Sequence, residues 1–226
     1  AKELTEHDWS LKHIHRLIVT SNTYRQKSRI GTQGGSSRDA SQIDSDNRLL
    51  WRMNFRRLEA EAVRDTVLHV TGKLNLQMFG PGYEDFEYEE AYAPIYRYKT
   101  ANEPDLWRRS IYRFIVRTTP PQFLTALDCP DPANLTPKRN VTTTPQQSLA
   151  LLNNEFMLLQ AQHFATRLSA KFPVNVDSQF EFGFRLAFCR APSDSELQSA
   201  EILVNRHGLM PFCRALLNSN EFVYID

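Results

Sequence analysis

Cysteine is scarce in this chain of 226 residues: there are three, Cys129, Cys189 and Cys213. No two of them form a C-x-x-C pair, so the zinc-ribbon, thioredoxin-like and haem-attachment spacings are all absent. Cys189 and Cys213 stand among apolar residues and read as buried free thiols, with a bridge between them as the alternative. Charge of one sign is also missing. The net charge is +1, which offers no global field for a nucleic acid and leaves charge-driven binding to local patches. No apolar run approaches the roughly 18 residues of a membrane span, and no signal-peptide pattern opens the chain. Gly-rich phosphate loops, nucleophile elbows and H-E-x-x-H are likewise not found.

What is present is helical idiom. Ser10 can cap a helix carrying Leu11, Ile14, Leu17 and Ile18 at helical spacing. The Gly/Ser/Asp-rich stretch that follows predicts a flexible surface loop over about 31–47. A second helical segment starts near Asn47 and is clearest over 58–71, with Val63, Val67 and Val70 as its apolar face and Gly72 at the expected left-handed cap. Residues 79–102 alternate acids with aromatics and predict a long ordered loop pinned by its rings, its carboxylates meeting nearby arginines. In 102–121 strand and helix periods compete. The helical reading groups Trp107, Ile111, Phe114, Ile115 and Thr118 and places Arg109, Arg113 and Arg117 near the opposite face, so a helix is expected.

The segment KRNVTTTPQQSLALLNNEFM supplies the clearest start signal. Thr144 is a good N-cap, Pro145 suits the first helical position, and Gln147 can close a capping box. One helix is expected from there through Leu168, with Leu149, Leu152, Phe156, Leu159 and His163 along its stripe. Thr144→Ala is expected to cost about 1 kcal/mol. Further helices follow: one capped by Asp177 and bearing Phe180, Phe184 and Phe188, one running from Ser193 to Gly208, and a short last one ending near Asn218 before an extended tail. With no strand pattern standing out, the economical fold is all-α: an irregular multi-helix array with long surface loops, forming a single helical domain over 1–226.

Candidate chemistry is sparse. His13 and His15, two apart on a helix, diverge by about 200° and cannot grip one ion together. A metal site would need partners from distant segments, so no metal ligands are assigned. Glu84, Asp85, Glu87, Glu89 and Glu90 fit no EF-hand spacing. Basic residues gather in YRQKSR and at Lys138–Arg139. They serve either as structural ion pairs or, with the N–H groups opening the Thr144 helix, as an anion pocket. The residues for such a pocket are Tyr24, Arg25, Arg29, Lys138, Arg139, Asn140, Thr144 and Asn153. Tyr83, Phe86, Tyr88, Tyr92 and Tyr96 form a candidate interface, tyrosine being favoured at contacts between chains. No catalytic constellation emerges.

Five stretches in order carry a resemblance: HDWSLKHIHRLIVTSNTYRQKS, DNRLLWRMNFRRLEAEAVRDTVLHVTGKLN, RRSIYRFIVRTTPP, RNVTTTPQQSLALLNNEFM and CRALLNSNEFVYID. Together they resemble the planctomycete cytochrome-associated C-terminal domain of unknown function. The resemblance implies a module of an extracytoplasmic protein, periplasmic or at the cell surface, with cytochrome-c-type modules elsewhere in the longer chain. Haem c would then sit on a separate module and no cofactor in this one. It also implies a domain that opens some tens of residues earlier. Three functions follow as expectations. The first is a non-catalytic docking or ligand-binding module, its partner a cytochrome-c-type module, another chain or a glycan. The second is part of a haem-linked oxidoreductase acting on polysaccharides or sugars. The third is a structural subunit of a larger assembly.

Overall fold

The computed structural model describes residues 1–28, 36–100 and 102–225, with the backbone alone over 36–39. Helix dominates, at about 51% of residues in eleven α-helices among the described residues. The chain divides into two compact units. The smaller comprises Ala1–Arg57 and the end of the chain from Tyr224, and the larger is Leu58–Val223.

In the smaller unit, α1 (Lys2–Glu6) and α2 (Leu11–Thr20) are joined by a turn in which Asp8 and Trp9 both take positive φ, at 51° and 57°. Ser10 caps α2 by accepting from the His13 N–H, as its hydroxyl and position predict. The apolar stripe of α2 is not buried: Leu11, Leu17 and Ile18 are all exposed. The loop expected over 31–47 is in part a helix, α3 (Ser36–Ile43), formed where the glycines have ended; residues 29–35 lie outside the described set. Beyond it, polar side chains replace helix as the organiser. The Asp44 carboxylate accepts from the Arg48 and Leu49 N–H groups at 2.9 and 2.7 Å. The buried Asn47 donates to the Arg52 carbonyl and to Asn54 at 2.7 and 3.0 Å. Asn47 therefore opens no helix. Arg56–Arg57 (β1) instead pairs antiparallel with Tyr224–Ile225 (β4).

The larger unit is built on α4 (Ala60–Thr71), α7 (Glu155–Lys171), α8 (Val176–Phe188) and α10 (Leu209–Leu217). α4 packs against α7, and Val63, Val67, Leu68 and Val70 of α4 and Met157, Ala161, Phe164 and Leu168 of α7 are all at most 1% exposed. Within this apolar contact Thr71 donates to the buried Gln160 Oε1 at 2.8 Å, while Gln160 Nε2 has no hydrogen-bond partner among the described residues. Gly72 takes φ 75° at the α4 terminus, its N–H donates to the His69 carbonyl, and Arg167 donates to the carbonyls of His69 and Val70. Phe180 and Phe184 of α8 pack on Phe212 of α10.

The single helix expected from Thr144 to Leu168 is two. α6 (Pro145–Asn153) and α7 are separated by Asn154, whose ψ of 137° leaves the helical region and whose Oδ1 caps α7 by accepting from Phe156 N–H at 3.0 Å. That break rotates the phase. Leu149 and Leu152 are exposed, while Leu151, Met157, Phe164 and Leu168 go inside. The capping box is present, with Gln147 Oε1 accepting the Thr144 N–H at 3.4 Å. Asp128 extends it by accepting from Thr142 N–H, Thr142 Oγ1 and Gln147 Nε2 at 2.7, 2.8 and 3.1 Å, which fixes the approach to α6.

Downstream, α8 is capped by Asn175, accepting from Ser178 N–H, rather than by Asp177, which falls in the first turn. α9 (Asp194–His207) carries the expected Ser193/Glu196 capping box and stops at Gly208. The tail is not simply extended: α11 (Asn220–Val223) precedes β4. Cys213 is buried as expected, whereas Cys189 is exposed because it ends α8 in the left-handed conformation at φ 58°.

Two further differences bear on the site. The acidic–aromatic stretch forms a hairpin, Phe86–Glu89 (β2) against Ile95–Tyr98 (β3), in the register Phe86 to Tyr98 and Tyr88 to Tyr96. The fold is thus helix-dominated, with two small antiparallel sheets among the described residues, rather than all-α. The period-two alternation of FEYE and IYRY was in the sequence, but each run is only four residues long. The helix expected over 102–121 is replaced by two 3-10 turns, Pro104–Trp107 and Ser110–Tyr112. Its backbone bonds sideways: Asn75 donates to the Trp107 carbonyl, Tyr83 to that of Tyr112, and Phe114 to that of Tyr83, at 3.0, 2.9 and 2.9 Å. Ile111 and Ile115, assigned to a buried helical face, are 77% and 60% exposed, while Arg108 and Arg113 are buried.

Candidate functional site

A cavity of about 480 Å³ opens in the larger unit between the β2–β3 hairpin, the 3-10 segment, the start of α5 (Gln122–Ala126) and the α6–α7 junction. Its walls are arginine and ring: Arg64, Arg97, Lys99 and Arg113, with Tyr96, Tyr98, Trp107, Phe123 and Phe156. Two carboxylates, Asp85 and Glu155, face these four cations, so the lining is net positive.

Arg64 comes from the apolar face of α4, one residue after Val63 and three before Val67, which carries it inward. Its guanidinium donates to the Leu106 and Arg108 carbonyls at 2.7 and 3.0 Å and lies over the rings of Tyr83 and Phe156. Its neighbour Asp65 accepts from the Ser110 N–H and hydroxyl at 2.8 and 2.7 Å. This adjacent pair ties the 3-10 segment to α4 and explains why that segment is not a free helix.

Arg113 is the deepest cation. Its side chain is 5% exposed, and Nε donates to both oxygens of Asp85 at 3.1 and 2.9 Å. Burial alone would lower its pKa, but the Asp85 carboxylate outweighs that and raises it, so Arg113 stays charged. Its Nη2 has no hydrogen-bond partner among the described residues, and neither has Trp107 Nε1. Burial pushes the nearby Tyr83 hydroxyl up to about 12 and raises that of Tyr98, so both remain neutral donors at pH 7. Phe86 packs edge-on against Tyr96 and Tyr98, fixing the hairpin wall. On the rim Arg97 is engaged by Glu89, while the Lys99 ammonium makes no ion pair among the described residues.

The arrangement can hold and neutralise an anion beside flat apolar faces. The buried arginines, paired with Asp85 and Asp65, supply fixed N–H donors, and Lys99 supplies a charge that solvent and ligand both reach.

None of the described residues among those expected from the sequence to form a pocket lines this cavity. Tyr24 and Arg25 lie exposed in the smaller unit, and Arg29 is outside the described residues. In the larger unit the Arg139 fork is engaged by Glu61 at 2.7 and 2.9 Å, with Glu59 at 3.6 Å. Burial would raise the Glu61 pKa, but Arg139 and the other donors to its carboxylate, Cys129 among them, lower it. Lys138 and Asn140 are exposed, Thr144 caps α6, and Asn153 accepts from Arg214 at 3.1 Å. Of the interface residues, Tyr83 and Phe86 are buried by their own chain, Tyr96 is half-buried, and Tyr88 and Tyr92 are exposed. Reading the bulk pattern missed Arg64 and Asp85 as site residues and assigned Trp107 to a helix. The sequence carries a signal for Arg64: a charged residue on the apolar face of an otherwise well-formed amphipathic helix.

Fold and site together define a helix-dominated domain with a cationic, ring-walled cavity. No helix among the described residues is long and apolar enough to cross a membrane. The chain belongs to the family described as "Protein of unknown function (DUF1553)", whose model matches residues 1–204. No curated protein and no solved structure gives a significant match.

Proposed function

We propose that the chain is a non-catalytic ligand-binding module whose cavity takes an acidic saccharide. The observation that carries this reading is the lining itself: four cations against two carboxylates, interleaved with Tyr96, Trp107 and Phe156. A uronate unit uses both features, its carboxylate meeting the positive wall and its ring face lying on the aromatic ones. A catalytic role finds less support. Asp85 is committed to Arg113, and the Tyr98 hydroxyl donates to the Thr119 carbonyl, so neither is poised as a free base. The resemblance to a cytochrome-associated domain adds the setting: an extracytoplasmic protein in which a separate haem c module works beside this one.

Calorimetric titration with uronate-bearing oligosaccharides and their carboxyl-reduced counterparts tests the proposal. The acidic form binds at least about tenfold more tightly, a difference of 1.4 kcal/mol, and Lys99→Ala removes much of that preference. Equal binding of both forms, or binding untouched by Lys99→Ala and Arg97→Ala together, rejects it. Turnover of the bound saccharide by this chain alone rejects the non-catalytic part.

A further inference from the structure

The smaller unit holds a cluster that the sequence spacing concealed. Glu3 and His7 stand four apart on one face of α1 and its C-terminal cap, and the positive-φ turn at Asp8 and Trp9 folds α2 back so that His13 reaches the same face. Trp9 N–H donates to the Leu4 carbonyl and Ser10 N–H to that of His7, at 2.9 and 3.0 Å, which fixes the reversal. One carboxylate oxygen, Glu3 Oε2, then lies 3.1 Å from His13 Nε2 and 3.5 Å from His7 Nδ1. All three potential ligand atoms fall within 4.8 Å of one another.

The geometry points to a divalent transition-metal site, with Zn²⁺ held by Glu3, His7 and His13. Zinc bonds to imidazole nitrogen and carboxylate oxygen at about 2.0–2.2 Å, so tetrahedral ligand atoms sit about 3.3 Å apart. The Glu3–His13 and Glu3–His7 edges of 3.1 and 3.5 Å bracket that value. Two imidazoles and a carboxylate are a donor set suited to zinc and its first-row neighbours, not to magnesium or calcium. Three protein ligands leave the fourth position to water, and the site faces solvent, with side-chain exposures of 45%, 29% and 56% for His7, His13 and Glu3. One adjustment is required. The two rings are stacked, with centroids 3.7 Å apart and planes 10° from parallel, so their in-plane lone pairs run side by side. His7 must swing out of the stack, releasing the Glu3 carbonyl that its Nδ1 now approaches at 3.0 Å. His15 lies two residues beyond His13 on α2 and takes no part.

The test titrates the whole chain with Zn²⁺ alone, in a non-coordinating buffer, in a Cys189→Ser background so that the exposed thiol does not compete. One ion binds per chain with a micromolar dissociation constant. His13→Ala and Glu3→Gln each weaken it by more than about tenfold, the lower end of what losing even an outer partner costs, while His15→Ala leaves it unchanged. Paramagnetic Co²⁺ in place of Zn²⁺, added to the chain with its three ligands intact, broadens the ring proton signals of His7 and His13 before those of the other histidines. Because all three side chains reach solvent, the variants keep the parent's circular dichroism. Absence of one-to-one binding, affinity unchanged by His13→Ala, or broadening that spares His7 and His13 overturns the assignment.

Discussion

Replacing Asp85 by asparagine isolates the electrostatics of the cavity wall. The substitution keeps the shape and one acceptor but removes the charge facing Arg113, whose side chain is 5% exposed against 23% for Asp85. With charge centres about 4 Å apart and an effective dielectric of about 20, the attraction lost is about 4 kcal/mol. Removing one partner of a buried pair costs about 3–5 kcal/mol, because the other charge stays behind uncompensated. Water reaching the partly exposed carboxylate already screens the pair, so the lower end applies, about 3 kcal/mol. Urea unfolding followed by circular dichroism reads this directly. For a slope of about 2 kcal/mol per molar, the midpoint falls by about 1.5 M with the slope unchanged. The double variant Asp85→Asn/Arg113→Met recovers most of the loss, since no unpaired cation remains. The acidic saccharide binds Asp85→Asn at least as tightly as the parent, because the wall has lost a neutralising charge. An Asp85→Asn midpoint within about 0.25 M of the parent, corresponding to about 0.5 kcal/mol, refutes the reasoning: Arg113 would then be satisfied by something other than Asp85.

Three further outcomes follow from the same packing and charge arguments. Gly183→Ala gains about 1 kcal/mol of helix propensity in α8, yet its new methyl meets Leu216, Phe212 and Leu168 at 3.3, 3.3 and 3.4 Å. The crowding wins, for a net loss of about 1 kcal/mol in thermal or urea unfolding. Arg190 grips Glu196 and Glu221 together, and it holds the Glu196 pKa down from 4.5 to about 2. A folded-state pKa below the unfolded one stabilises above pH 4.5 and is lost as pH falls toward 2. Glu196→Gln therefore flattens the acid side of the stability profile and costs about 1 kcal/mol at pH 7 after solvent screening. A disulfide-exchange reagent at pH 8 labels one thiol quickly, the exposed Cys189. Burial and then the Glu61 charge push Cys129 up to about 11, and burial raises Cys213 further, so both react slowly until the chain unfolds. Three equal rates in the native state contradict this.

Local chemistry determined much of the helical frame. A capping residue and its partner three positions on mark a helix start wherever they occur, because the orphan N–H groups are satisfied within a few residues. Thr144 with Gln147, Ser193 with Glu196 and Ser10 were legible for that reason. So was Gly72, since the left-handed cap excludes most other residues. What escaped the sequence depends on partners distant along the chain. The segment around Trp107 gave up its helix because Asn75, Tyr83 and Asp65 offered its backbone other bonds. FEYE and IYRY became strands only by facing each other. Asn154 reset the phase of the long stripe with one local bond, but only the buried face of α7 reveals which leucines that choice discarded. The cavity and the Glu3–His7–His13 cluster also escaped, for different reasons. The cavity is made by elements far apart in sequence, whereas the cluster is made by a short reversal whose positive-φ turn at Asp8 and Trp9 no residue pattern announced.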